Sequence, residues 1–202
     1  MSTNVIDAIK SDARTIREIL QKKKYEIDVF QREYLWQRKQ MEDLIDDLSR
    51  KFLSNYKSPH NRKDVKNYSI YYLGSIIISQ KDGKNFIIDG QQRLTSITLL
   101  LIYLNNIQLE GEDYNEIKDL IFSKTYGEET FNLLIEDRKE CIRALFHKRD
   151  YDTQNKSDSV INLYERYGEI DYLFPNELKD KTLPFFIDWL LEKVVFVEIK
   201  TS

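Results

Sequence analysis

A five-residue run, Asp89-Gly90-Gln91-Gln92-Arg93, joins a short apolar segment to a long apolar helical pattern. The residues before the run predict a β-strand, and those after it predict an α-helix, so the run itself is expected to form a tight turn. A helix N-terminus presents free backbone N–H groups and a partial positive charge, which together favour bound anions. The residue types and their spacing therefore predict an anion-binding turn.

The side chains of this turn suit phosphate chemistry. Arg93 offers a bidentate donor for phosphate, and Asp89 suits Mg²⁺ binding or general-base chemistry. Gln91 and Gln92 can orient a ligand or a water molecule, and Gly90 permits close backbone approach. The spacing fits an ordinary structural role equally well, in which Asp89 caps the helix and Arg93 pairs with a nearby carboxylate. Spacing alone does not distinguish the two interpretations.

A second cluster precedes this turn in the sequence. Gln31, Arg32, Tyr34 and Trp36 fall within six residues. Arginine beside aromatic rings can form a cationic, aromatic wall against a nucleotide or an unstacked base. The structural alternative is that Tyr34 and Trp36 belong to the core and that Arg32 lies on the surface.

Composition limits the possible functions. The chain has 202 residues and a net charge of −3, and this overall charge does not indicate a nucleic-acid-binding protein. Positive charge is nevertheless concentrated locally, in lysine clusters at 22–24 and 57–66 and in a basic stretch at 138–149. Its single cysteine, Cys141, can form neither an internal disulfide nor a cysteine-based zinc site. The only two histidines, His60 and His147, are far apart in the sequence, which argues against a two-histidine nuclease centre. We found no signal peptide and no transmembrane run, and we expect a cytoplasmic protein.

Hydrophobic spacing predicts the elements that position these residues. The stretch 1–12 is expected to be loosely held, Asp82-Gly83 to form a hairpin turn, and 150–159 to form a mobile loop. The final strand should lie inside a sheet, so we expect the natural protein to continue past Ser202. The predicted helices are 13–22, 37–54, 91–106, 137–148, 160–173 and 181–191, with 91–106 deep in the core, and the predicted strands are 25–29, 69–79, 85–89, 117–123, 130–135 and 193–200.

Three segments together resemble a known protein family. The stretch 27–36, Ile-Asp-Val-Phe-Gln-Arg-Glu-Tyr-Leu-Trp, is similar to the pattern I-P-x-(Y/F)-Q-R-x-Y-x-W. The stretch 73–76, Leu-Gly-Ser-Ile, is similar to L-G-(S/T)-I, and 89–95 matches D-G-Q-Q-R-L-T. These motifs, in this order, resemble the DGQQR domain of GmrS-type proteins of type IV restriction and phage-defence systems. The resemblance covers about 13–106, and 107–202 match only in general pattern.

The resemblance implies an α+β fold, with a ParB/sulfiredoxin-like small mixed sheet packed with helices and a mainly helical region after it. It implies a DGQQR domain over 1–110 that continues over 111–202. In this chain Asp28 replaces the family's usual proline, and no histidine cluster of an HNH module is present. The implied catalytic residues are Asp89, Gln91, Gln92 and Arg93, with Asp89 as metal ligand; the implied nucleotide- and phosphate-binding residues are Gln31, Arg32, Tyr34, Gly90, Arg93 and Thr95.

Three functions remain open from the sequence. The first is Mg²⁺-dependent hydrolysis of a nucleoside triphosphate that regulates or drives DNA restriction. The second is a non-catalytic module that senses nucleotide or DNA, and the third is a ParB-like nuclease. The expected partners are a nucleotide, DNA through this or a linked domain, and an HNH-type nuclease module, with no membrane.

Overall fold

The computed structural model describes residues 9–27, 33–57, 61–108, 114–125 and 128–201. A six-stranded mixed sheet packs with helices, which confirms the predicted α+β class. Within these ranges the strands are β1 (Ile9–Thr15), β2 (Tyr25–Ile27), β3 (Tyr71–Lys81), β4 (Lys84–Asp89), β5 (Phe122–Thr125), β6 (Glu128–Phe131), β7 (Leu133–Leu134) and β8 (Val194–Thr201).

The main sheet has the order β1-β8-β3-β4-β2-β7, and β5 pairs with β6 in a separate two-stranded ribbon. β1 pairs antiparallel with β8, and β3 antiparallel with β4. β8 is parallel to β3, and β2 is parallel to both β4 and β7. Strands from both ends of the described chain therefore join one sheet.

Seven helices surround this sheet in the described part of the chain. They are α1 (Ile16–Leu20), α2 (Arg38–Leu53), α3 (Gln91–Ile107), α4 (Lys118–Ile121), α5 (Lys139–Phe146), α6 (Asp158–Leu173) and α7 (Leu183–Lys193). Short 3₁₀ turns cover Arg62–Asn67, Glu136–Arg138 and Asn176–Leu178. None of the helices described is long and apolar enough to cross a membrane.

The central helix α3 lies deep in the core, as its sequence predicts. Every residue from Leu94 to Tyr103 is buried, and so is Leu104. A helix that is apolar around its circumference needs packing partners on every side. Because the core holds α3 on all sides, the first turn of the helix has a fixed position next to the end of β4.

The prediction for the beginning of the chain is partly wrong. The stretch Ile9–Thr15 forms β1 rather than a loose segment or the start of a helix, and α1 begins only at Ile16. Thr15 caps α1, since its hydroxyl accepts from the backbone N–H of Glu18 while the Glu18 carboxylate accepts from the Thr15 N–H. The strand forms because β8, at the other end of the chain, supplies its hydrogen-bonding partner.

The stretch 117–135 also differs from its prediction. Lys118–Ile121 is one helical turn rather than strand, and the predicted strand at 130–135 is divided at Asn132. The buried Asn132 amide donates to the carbonyls of Leu20 and Asp119. Those bonds tie α1 and α4 together at the point where the strand is interrupted.

The last strand lies between two neighbours, as expected for a segment so rich in β-branched residues. β8 has β1 on one side and β3 on the other. Its core-facing side chains include Val194 and Phe196, which are fully buried. The expectation that the natural protein continues past Ser202 stays a prediction.

Candidate functional site

A pocket of about 260 Å³ lies where β4 ends and α3 begins. The described residues that line it are Trp36 and the complete predicted turn, Asp89 to Arg93. The structure thus brings one residue of the second predicted cluster against the turn. The volume is slightly below the range of about 300–1,000 Å³ that is typical of small-molecule sites.

Gly90 shapes the turn. Its φ of 89° and ψ of 4° lie in the left-handed region, which an L-residue with a side chain adopts only at a cost. A Cβ built at Gly90 would meet Ile76 Cγ2 at 2.7 Å and the Ser75 carbonyl oxygen at 3.0 Å. The turn therefore presses directly against β3, and α3 starts at Gln91 without a side-chain cap.

Arg93 packs over another glycine, Gly74 in β3. A Cβ at Gly74 would lie 2.9 Å from Arg93 Nη1 and 3.1 Å from its Cζ. Gly74 has a φ of 129° and sits at an irregularity in the pairing of β3 with β8. The Leu-Gly-Ser-Ile motif is thus the floor beneath the turn, which explains physically why the two motifs occur together in this chain.

Asp89 and Arg93 do not have the structural roles of the alternative interpretation, in which Asp89 caps α3 and Arg93 pairs with a carboxylate. Asp89 is exposed and makes no side-chain hydrogen bond to any described residue, so it does not cap α3. Arg93 forms no ion pair within the described chain, and its Nη1 lies 3.5 Å from the Ser75 carbonyl oxygen. The first backbone N–H groups of α3 also lack helical acceptors, as at every helix start. Charged donors and one carboxylate therefore remain available at the pocket.

Gln92 has a structural role that its sequence position did not reveal. Its Oε1 accepts from the Leu35 backbone N–H at 3.0 Å, and its Nε2 donates to the Glu33 carbonyl oxygen at 2.7 Å. Both ends of the amide hold the 33–35 backbone against α3. This attachment positions the neighbouring Trp36 in the lining. Gln91 is half-buried and lines the pocket as well.

Tyr34 and Thr95 lie behind the pocket rather than in its lining. Tyr34 is fully buried, and its hydroxyl is 2.7 Å from Ser96 Oγ. Burial raises the pKa of Tyr34 to about 12. Thr95 is also buried, and its hydroxyl has no hydrogen-bond partner among the described residues. The predicted residues Gln31 and Arg32 lie outside the described residues.

Two residues that sequence reasoning missed support the Tyr34 segment. Ser159 Oγ accepts from the Tyr34 backbone N–H at 2.9 Å and from Arg138 Nε at 2.8 Å. Arg138 is completely buried, its guanidinium lies 5.9 Å from the centre of the Tyr34 ring, and its two terminal nitrogens have no hydrogen-bond partner within the described chain. The sequence placed Arg138 in a solvated basic stretch, because nothing local shows that a 3₁₀ turn buries it.

Among the residues that the structure describes, Asp89 is the only carboxylate in the pocket lining. No group of three or more histidine, cysteine, aspartate or glutamate residues converges within the described ranges. Mg²⁺ commonly binds through one or two carboxylates together with substrate phosphates and water. A single exposed aspartate beside an anion-binding turn fits that mode of binding, and does not fit a site made of protein ligands alone.

Comparison with known proteins agrees with the motifs. The family model described as the GmrSD restriction endonuclease, N-terminal domain, matches residues 16–202. The match therefore includes the region after 106, where the motif resemblance was only general. No curated protein matches the chain. The chain belongs to the family of GmrSD restriction endonuclease N-terminal domains.

Proposed function

We propose that the pocket binds the phosphates of a nucleoside triphosphate and that this domain hydrolyses the nucleotide to regulate or drive DNA restriction. The observation that carries the proposal is the pocket itself, in which Asp89, Arg93 and the start of α3 converge. Membership of a restriction-endonuclease family supplies the biological setting. The ParB/sulfiredoxin-like classification of the fold stays a prediction.

Each residue of the lining has a distinct part in this proposal. The α3 N–H groups and the Arg93 guanidinium bind phosphate oxygens, which requires no rearrangement because Gly74 already leaves room for the guanidinium. Gln91 orients the attacking water, while Gln92 keeps the 33–35 backbone in place. Trp36 offers an aromatic face to the ligand.

Mg²⁺ fits the proposal through Asp89. When bound, the ion would neutralise charge that develops on the phosphate oxygens. Asp89 would hold it directly or through water, with the remaining ligands supplied by the phosphates and solvent. Positioning and charge stabilisation account for most of phosphoryl-transfer catalysis, and the pocket residues provide both.

The test compares binding with turnover. Thermal unfolding is measured with ATP, GTP, CTP and UTP, each with and without Mg²⁺, and phosphate release is measured with the nucleotide that stabilises most. A ligand present at about 100 times its Kd should raise the free energy of unfolding by about 2.7 kcal/mol. Arg93→Ala should abolish both signals while remaining folded.

Asp89→Asn provides the sharper variant, because Asp89 is exposed and makes no hydrogen bond to a described residue. It should remove the Mg²⁺-dependent part of binding and of phosphate release without changing unfolding in the absence of ligand. Asp46→Asn removes the same charge from the exposed side of α2 and should leave both unchanged. If a nucleotide stabilised the protein without phosphate release, the domain would sense the nucleotide and not hydrolyse it. If the protein nicked plasmid DNA with metal but without nucleotide, its function would be that of a nuclease.

A further inference from the structure

A second and larger concavity lies away from the pocket. It has a volume of about 980 Å³ and is bordered by the turn after α1, the β3–β4 hairpin and the segment that includes α4. We call it the lysine cleft, after the five lysines in its lining: Lys22, Lys23, Lys24, Lys84 and Lys118. The whole chain has a net charge of −3, so this is a local concentration of positive charge on an acidic protein.

The backbone of the lysine run is held in place on both sides. Lys22 has a φ of 56°, and the Lys23 N–H donates to the Leu20 carbonyl oxygen at 3.3 Å. The Asn85 side-chain amide donates to the Lys24 carbonyl oxygen at 3.3 Å. Three consecutive lysines are therefore presented from a fixed turn between α1 and β2, and not from a flexible tail.

The carboxylates of the lining do not cancel this charge. Three acidic residues accompany the five lysines, and one of them, Glu26, pairs with Lys84 at 2.8 Å. Lys22 and Lys23 form no ion pair with any residue that the structure describes. Their ammonium groups therefore remain available to an external anion.

The lysine cleft and the pocket lie at opposite ends of β4. Lys84 begins the strand, and Asp89 ends it. Five steps of about 3.4 Å place the two ends roughly 17 Å apart along the strand. β2 runs parallel to β4, with Tyr25 paired to Asn85. Lys24 and Lys84 therefore lie side by side at the N-terminal ends of these two strands. A single nucleotide in the pocket does not extend along the strand to the lysines, so they require a separate ligand.

We propose that the lysine cleft binds the phosphodiester backbone of DNA, independently of nucleotide in the pocket. Flexible lysines act as point charges for phosphates and need no base sequence, and double-stranded DNA carries one charge per about 1.7 Å of axis. The inference relies on the restriction role of the proposed function but not on nucleotide hydrolysis. The site would position DNA, while sequence or modification would be sensed elsewhere.

The test measures affinity of the full chain for a fluorescent DNA duplex at salt concentrations between about 50 and 200 mM. The slope of log affinity against log salt reports the number of phosphate contacts, and each lost lysine contact should reduce it by about 1. The variant Lys22→Gln/Lys23→Gln/Lys24→Gln should therefore reduce the slope by at least about 2, one for each of the two lysines without an ion pair in the described chain. Glutamine keeps side-chain length and removes only the charge.

The matched control is Lys57→Gln/Lys63→Gln/Lys66→Gln, which removes the same charge from three other exposed lysines. It should retain the slope of the unmodified chain. Equal slopes for all three proteins, a loss confined to the control, or no DNA binding by the unmodified chain would each overturn the proposal. The lysine-cleft variant should keep any nucleotide-induced stabilisation, so failure of the proposed nucleotide function is seen separately.

Discussion

The contact between the Asp89–Arg93 turn and β3 leads to a sharp prediction for Gly90→Ala. Left-handed backbone costs a residue with a side chain about 1–2 kcal/mol. The new Cβ would also meet Ile76 Cγ2 at 2.7 Å and the Ser75 carbonyl oxygen at 3.0 Å, and such overpacking costs about 1–3 kcal/mol. Reduced entropy of the unfolded chain returns about 0.4–1 kcal/mol. The free energy of unfolding should therefore fall by about 1–5 kcal/mol.

Two other glycines separate these contributions. Gly83→Ala carries a positive φ of 74° but meets no atom within 4 Å, so it should cost only the conformational part, about 1 kcal/mol. Gly168→Ala lies inside α6, also with nothing within 4 Å, and should stabilise the protein by about 0.5–1 kcal/mol.

The assay is urea-induced unfolding of the four proteins, followed by circular dichroism. The expected order of stability is Gly168→Ala, the unmodified chain, Gly83→Ala and Gly90→Ala. If Gly90→Ala unfolded at the same denaturant concentration as Gly83→Ala, the turn would not press against Ser75 and Ile76. The proposed floor of the pocket would then be incorrect.

Three further predictions concern buried groups. Burial raises the pKa of the Cys141 thiol to about 12, so Ellman's reagent should label it only at the rate of unfolding, and fast labelling of the native chain would contradict its burial. Burial also raises the pKa of the Tyr34 phenol to about 12 in the folded chain, whereas the unfolded phenol ionises from about pH 10. Between about pH 10 and 12, Tyr34 alone should therefore lower the free energy of unfolding by up to about 1.4 kcal/mol per pH unit, and the fall should be less steep in Tyr34→Phe. Arg138→Met removes a buried charge whose two terminal nitrogens have no described partner and whose Nε donates to Ser159 Oγ. The free energy of unfolding should fall by no more than about 1 kcal/mol, or rise, and a loss of about 3–5 kcal/mol would show that the terminal nitrogens are ion-paired.

Local sequence patterns were sufficient for the elements closest to the pocket. The apolar run before Asp89, the Asp-Gly hairpin and the periodicity of α2 and α3 are all short-range signals, and each predicted the element that the structure shows. The grouping of the turn with the 31–36 segment followed from the family resemblance, because residue types alone left open whether Trp36 belongs to the core.

The features that the sequence did not predict depend on pairing between distant parts of the chain. β1 forms because β8 pairs with it, and no periodicity within 9–15 contains that information. The position of Arg93 over Gly74 depends on how β3 pairs with its neighbours, although the glycine was visible in the motif. The hydrogen bonds of Gln92 are equally hidden, because an amide that binds substrate and one that holds backbone have the same side chain.

The most direct test of the proposed nucleotide binding uses the tryptophan in the pocket lining. The chain has two, of which Trp36 lines the pocket and Trp189 is fully buried. Titration of the unmodified chain with the stabilising nucleotide and Mg²⁺ should change the tryptophan emission saturably, and Trp36→Phe should lose that change. An equal change in Trp36→Phe would place the nucleotide elsewhere and would contradict the account.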